Sequence, residues 1–172
     1  VERTSAGVVL ERLVRAARQQ PEELAMGDRR LQALMFTERE RHALESLARR
    51  MRASSRDGDH FEAFNRLGEH VLFVAKAHLE RRIFESFVTG LETCADPEAR
   101  ELLEKVCSLY ALTSLHTDRA WFMEHGKMST TRAKAIGEQL NQLCRELRQH
   151  ALPLVEGLGV PEHWLGAAIL EG

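Results

Sequence analysis

The residues of this 172-residue chain that could do chemistry are its eight histidines and three cysteines. Imidazoles with carboxylates on facing helices would first suggest a dinuclear metal bundle, which needs Glu-x-x-His on two helices. No Glu-x-x-His occurs, and no His-x-x-x-His. His70 and His78 stand two helical turns apart, too far to share one ion unaided. The expectation is therefore no metal site, with each histidine packed or bonded to a partner side chain. Cys94, Cys107 and Cys144 form no Cys-x-x-Cys pair, and an odd count leaves one unpaired in any arrangement. Cys144, beside Arg145, is the exception to an otherwise uncharged thiol setting. All three read as reduced, buried, structural thiols. A Gly-x-Ser-x-Gly elbow and a glycine-rich phosphate loop are both absent.

The elements that would position these side chains are helical throughout, since β-branched residues are scattered and period-2 alternation is missing. A first helix is expected over Ser5 to Gln20, its stripe Val9, Leu10, Leu13, Val14 and Ala17, ending before Pro21. Asp28 caps a second, with Leu31, Leu34 and Met35 inward. Thr37 and Glu40 form a capping box that predicts a restart or bend, after which Leu44, Leu47, Ala48 and Met51 continue the face. Asp59 and Glu62 open an uninterrupted helix to about Gly90, with Phe61, Phe64, Leu67, Val71, His78, Ile83 and Phe87 on its stripe. Asp96-Pro97-Glu98 starts the next, which runs past Trp121 and Phe122 to a left-handed cap at Gly126. Ser129 or Thr130 caps the last long helix, inward at Ala133, Ile136, Leu140, Leu143, Cys144, Leu147 and Ala151. Pro153 kinks it, and Gly157-Leu158-Gly159 ends it. Pro161 opens a short final helix holding Trp164 and Ile169. The fold class is all-α: a single domain over 1–172, an antiparallel helical bundle of four or more long helices plus a short C-terminal helix.

Composition narrows the partners. The apolar fraction is 44% and the formal charge −2, so no net basic field attracts nucleic acid or an anionic membrane. Arginine outnumbers lysine, but runs such as Arg39-Glu40-Arg41 read as solvated helix surface with i,i+4 pairing. Apolar runs such as Val71 to Ala75 fall far short of the ~18 residues of a membrane span. The chain starts at Val1 without an initiator Met, and the expectation is a piece of a longer protein.

Three blocks between about Thr37 and the end, in order and at matching spacing, carry a family resemblance. The first is Ala63-Phe64-Asn65 followed by Ala75-Lys76-Ala77-His78. The second is Val106-Cys107-Ser108-Leu109-Tyr110-Ala111-Leu112, with Phe122 and Gly126 after it. The third is Leu147-Arg148-Gln149-His150-Ala151-Leu152-Pro153-Leu154-Val155-Glu156. The chain resembles the C-terminal helical domain of the acyl-CoA oxidases, within the acyl-CoA dehydrogenase-like flavoprotein superfamily.

That resemblance implies a parent flavoenzyme of fatty acid β-oxidation. It would desaturate acyl-CoA at Cα–Cβ with FAD and pass the electrons to O₂. It further implies upstream flavin-binding domains as partners, a homodimer, and a bracing role for this bundle. FAD is expected in the parent, and none bound to this fragment alone. The family's catalytic base is a Glu followed by Gly-Asp-Asn. Glu2 lies eight residues before Leu10, the matching distance, and is the candidate equivalent, although Arg3-Thr4-Ser5 follow it. A general base must reach the α-proton of bound substrate, and the fragment is expected to be inactive in isolation. The alternative is a stand-alone helical ligand-binding or regulatory module with a cavity lined by Phe61, Phe64, Tyr110 and Trp121. Arginine- and alanine-rich usage, with Glu171-Gly172 at the end in place of Ser-Lys-Leu, predicts a bacterial cytoplasm over a peroxisome.

Overall fold

Asp96 shows how directly local chemistry sets these elements. Its carboxylate accepts from the backbone N–H of Glu98 at 2.9 Å and of Ala99 at 3.3 Å, and Pro97 fills the first helical position. The computed structural model describes residues 5–19, 24–54 and 60–161. Within them lie α1 (Ser5–Gln19), α2 (Arg29–Ser54), α3 (His60–Arg66) and α4 (Gly68–Thr93). They are followed by α5 (Pro97–Thr117), α6 (Arg119–Glu124), α7 (Thr130–Arg148) and α8 (Ala151–Gly157). No strand occurs among the described residues, and no helix there is long and apolar enough to cross a membrane.

The long helices pair antiparallel. Phe36 stacks on Phe84 while Arg39 reaches Glu80, so α2 ascends as α4 descends. Phe87 stacks on Tyr110 while Lys76 meets Asp118, which runs α5 against α4. Lys105 meets Glu146 at 3.6 Å, setting α7 against α5. Two apolar cores result. One joins Leu10, Val14, Phe36, Phe84, Val88 and Ala111 from α1, α2, α4 and α5. The other gathers Leu31, Met35, Leu112, Leu115, Phe122 and Ile136 around the α5–α6–α7 end. A fully buried side chain of this size contributes about 1.5–3 kcal/mol by burial.

Several caps stand where the sequence puts them. Asp28 accepts from the Arg30 N–H at 2.8 Å, and the Arg30 guanidinium bonded to it holds its carboxyl below the usual carboxylate range. Ser129 accepts from the Arg132 N–H, opening α7. Gly126 is left-handed, with φ +64°. The Lys127 N–H bonds the Phe122 carbonyl and the Gly126 N–H bonds the Met123 carbonyl, closing α6 in a Schellman motif.

Other expectations are corrected. Helix α2 does not restart at Thr37, whose hydroxyl donates back to the Ala33 carbonyl at 2.8 Å inside an unbroken helix. Its buried face therefore continues as Leu31, Met35, Phe36, Arg39 and Ala43, while Leu44, Ala48 and Met51 are exposed. The helix expected from Asp59 to Gly90 breaks at Leu67, and Asp59 lies outside the described residues. The break rotates the register: Ala77, Phe84, Val88 and Leu91 are buried, whereas Phe61, Phe64, His78 and Ile83 face outward. The helix from Asp96 ends at Thr117 and resumes at Arg119, jointed at Asp118. Pro153 has no N–H for the Gln149 carbonyl, and the ladder indeed breaks there, between Arg148 and Ala151. Ala151 and Cys144 are exposed where they were expected inward. The final helix expected from Pro161, with Trp164 and Ile169, lies outside the described residues.

Candidate functional site: a buried ion quartet and the surfaces around it

Chemistry-bearing side chains converge most densely where α2, α4 and the α5–α6 joint meet. Arg39 is 0% exposed. Its guanidinium donates to Asp118 at 2.5 Å and to the Glu80 carboxylate. Lys76 completes a quartet, its ammonium 2.8 Å from Asp118 and 3.8 Å from Glu80. The cation lies 5.3 Å from the Phe36 ring centroid and 5.8 Å from that of Phe122. The Tyr110 hydroxyl donates to the Glu80 carbonyl. Two cations face two carboxylates, so the cluster is neutral in sum and every carboxylate is engaged. Its arrangement leaves no free base; what it can do is lock three helices in one register.

Farther along α4 a second chain of charges begins at Glu40. Its carboxylate takes Arg81 and sits 2.7 Å from His78 Nδ1. Arg81 and Arg82 in turn both reach Glu85, which is 2% exposed. Reading Arg39-Glu40-Arg41 as solvated surface is thus corrected for two of its three residues. Arg39 is buried and Glu40 nearly so, while Arg41 is exposed and pairs with Glu38 and Glu45 as expected. The signal in the sequence was spacing: Arg39 lies three residues after Phe36 and four before Ala43, on the apolar stripe of an unbroken helix.

The remaining candidates separate. Glu2 lies outside the described residues. Among the described residues no three of His, Cys, Asp and Glu converge in a geometry that could hold a metal ion. Phe61 and Phe64 point outward from α3, whereas Tyr110 stacks between Phe36 and Phe87. Trp121 packs on His42, Phe73, Phe122 and His125. The four aromatics of the ligand-module reading therefore line no common cavity. Of the arginines lining the grooves between helices, Arg12 is held by Glu92, Arg29 by Glu104, and Arg81 by Glu40 and Glu85.

Thiols and imidazoles also sort by environment. Burial pushes the Cys107 thiol up to about 11. Cys107 is expected to resist iodoacetamide in the folded protein at pH values well below about 11, while exposed Cys144 reacts at once. Peptide mapping of the alkylated protein checks this; equal labelling without denaturant would refute it. In the cleft between α2, α4 and α6, His42 meets His125 edge-on with ring centroids 4.4 Å apart. Burial, and then the neighbouring His125, lowers the His42 pKa from 6.5. The unfolded chain therefore binds the proton more readily, and stability present above about pH 6.5 is lost as pH falls through the folded value. Urea midpoints measured across that window should decline toward acid, with a flatter slope for His42→Phe.

Comparison with known proteins turns this geometry into a family. The profile described as Acyl-CoA oxidase matches residues 28–170. The chain belongs to the acyl-CoA oxidase family. An acyl-coenzyme A oxidase-like protein of Mus musculus is 32% identical over 133 residues, 76% of this chain and 21% of that protein. The peroxisomal acyl-coenzyme A oxidase 2 of Arabidopsis thaliana is 30% identical over 142 residues, 83% of this chain and 20% of the relative. The chain thus spans about a fifth of the length of these relatives. A putative acyl-coenzyme A oxidase of the same plant, 29% identical, is matched over 72% of its length. Relatives named as peroxisomal come from plant and mouse, and the expectation of a bacterial cytoplasm finds no support in them.

Proposed function

We propose that this chain is the C-terminal helical domain of an acyl-CoA oxidase-like flavoenzyme, bracing a flavin site built elsewhere in the parent. Its partners are the upstream flavin-binding domains and a second copy in a homodimer. FAD and the acyl-CoA belong to the parent. The observation that carries this reading is a family match over residues 28–170 that covers about a fifth of full-length relatives. Exposed apolar side chains support a bracing role. Leu72 and Leu79 on α4 are 71% and 60% exposed, and Leu152 and Leu158 at the α8 end are 70% and 73% exposed. Apolar area of that kind is covered in an assembled enzyme.

The test is hydrogen peroxide release from acyl-CoA in the presence of added FAD. The 172-residue chain alone is expected to give none, and to bind no flavin by fluorescence quenching. Turnover by the isolated chain would overturn the proposal. One observation favours the stand-alone reading: the plant relative matched over most of its length shows this helical segment in a chain with little else.

A further inference from the structure

The cleft between α2, α4 and α6, about 350 Å³ in volume, is walled by a continuous cluster of rings. Trp121 stacks on His125 with centroids 4.4 Å apart and tilts against Phe73 at 5.9 Å. His42 meets Trp121 edge-on at 5.3 Å and His125 edge-on at 4.4 Å. These rings are not held alike. Trp121 also packs on Phe122, and His125 Nδ1 lies 2.8 Å from the Trp121 carbonyl, so that nitrogen carries a proton and donates it. Beneath them α6 is fixed by Phe122 and Met128 in the core, and by Asp118 in the ion quartet. His42 has ring edges alone: among the described residues it makes no hydrogen bond and no ion pair. Charges surround it without bonding it. Helix α2 brings Arg41, Glu45 and Arg49 near the ring and puts Arg50 on the cleft wall. Helix α4 contributes Glu69 and His70, and α6 adds Glu124 beside His125. Arg41 is already taken by Glu38 and Glu45, while Glu69 and Glu124 are exposed.

We propose that His42 is a proton-operated gate of this cleft. Neutral, it packs into the ring cluster and shields Trp121; protonated, it swings out of the cluster and opens the cleft. A neutral imidazole is a flat, weakly polar ring that packs edge-on against an indole. A cation in the same seat is partly desolvated, has no carboxylate bonded to it and faces a second imidazole. Turned outward, it gains water and the field of Glu45, Glu69 and Glu124. The closed arrangement lowers the affinity of His42 for its proton, first by burial and then through His125, so by linkage proton uptake favours the open one. Helix α6 itself stays in place, because Phe122, Met128 and Asp118 hold it from the side away from His42's ring contacts. The movement is confined to side chains.

Trp121 fluorescence against pH tests the proposal, in a Trp164→Phe background that leaves a single indole. As pH falls below 6.5 the emission maximum is expected to move to the red, and acrylamide to quench it more strongly. Far-UV circular dichroism should stay constant over the same window. The His42 ring-proton NMR resonances should shift with the same midpoint as the emission. His42→Phe keeps a ring in the seat and should leave Trp121 shielded throughout. His125→Phe removes a neighbour that disfavours the His42 cation, so the step should survive and move to higher pH. His70→Gln, at a cleft imidazole outside the ring cluster, should keep the parent's profile. No step in Trp121 emission, a step that persists in His42→Phe, or one lost in His125→Phe overturns the proposal. So does loss of helix over the same window, which would be acid unfolding of the whole bundle. Should His42→Phe fail to fold, the parent decides: His42 resonances that do not move with the Trp121 step overturn the gate.

Discussion

Arg39→Ala is expected to remove about 3–5 kcal/mol of folding stability, the usual cost of stranding buried charge. Domains of this size have about 5–15 kcal/mol in total. The substitution deletes one cation from between two carboxylates that are themselves mostly buried, Glu80 at 18% and Asp118 at 12% side-chain exposure. Lys76, on the wet side of the quartet, can keep Asp118 but sits 3.8 Å from Glu80. Arg39→Lys restores the charge but not the fork that spans two helices, so it should recover only part of the loss. Arg39→Met with Glu80→Gln and Asp118→Asn separates the two sources of cost. If stranded charge dominates, that triple variant is more stable than Arg39→Ala. Urea denaturation followed by circular dichroism reads all three. A loss below about 1 kcal/mol for Arg39→Ala would mean that the quartet does not hold the helices together.

The same residue shows what was legible in the sequence and why the rest was not. Local chemistry carried far: the caps at Asp28, Asp96 and Ser129, the left-handed Gly126 and the break ahead of Pro153 all depend on a few adjacent residues. So did the all-α class, because helical period and stop signals recur along the whole chain. What failed was phase. Thr37-x-x-Glu40 has the composition of a capping box, but an unbroken helix leaves no orphan N–H there for the hydroxyl to accept. Restarting at that point assigned Leu44, Ala48 and Met51 to the core and left Arg39 outside it. The Leu67 break likewise turned Phe61 and Phe64 outward from a stripe traced straight through them. Charged side chains inside a core are invisible to hydropathy, since their partners Glu80 and Asp118 lie 41 and 79 positions away. Of the candidate site, nothing in composition pointed to the quartet.

Phe36→Ala is the second large effect, at about 3–5 kcal/mol. Phe36 is fully buried, with its ring 5.0 Å from that of Phe84 and 6.4 Å from that of Tyr110. Removing it empties the contact of α2 with both α4 and α5. Phe36→Leu keeps most of the volume and should cost less than about 1.5 kcal/mol of transfer and packing energy. The Arg39 cation rests over this ring at 5.3 Å, so the two substitutions should not add. A double-mutant cycle with Phe36→Leu and Arg39→Met is expected to show coupling of about 0.5–2 kcal/mol. Desolvation favours the upper end, because a buried guanidinium over an aromatic face has no water to compete for it. Coupling near zero would assign the ring to packing alone and leave the carboxylates as the whole reason an arginine is buried there. Coupling of the expected size would make Phe36 part of the ion site, the apolar wall that holds the guanidinium between Glu80 and Asp118. In that event apolar packing and ion pairing at the α2–α4–α5 junction form one cooperative unit.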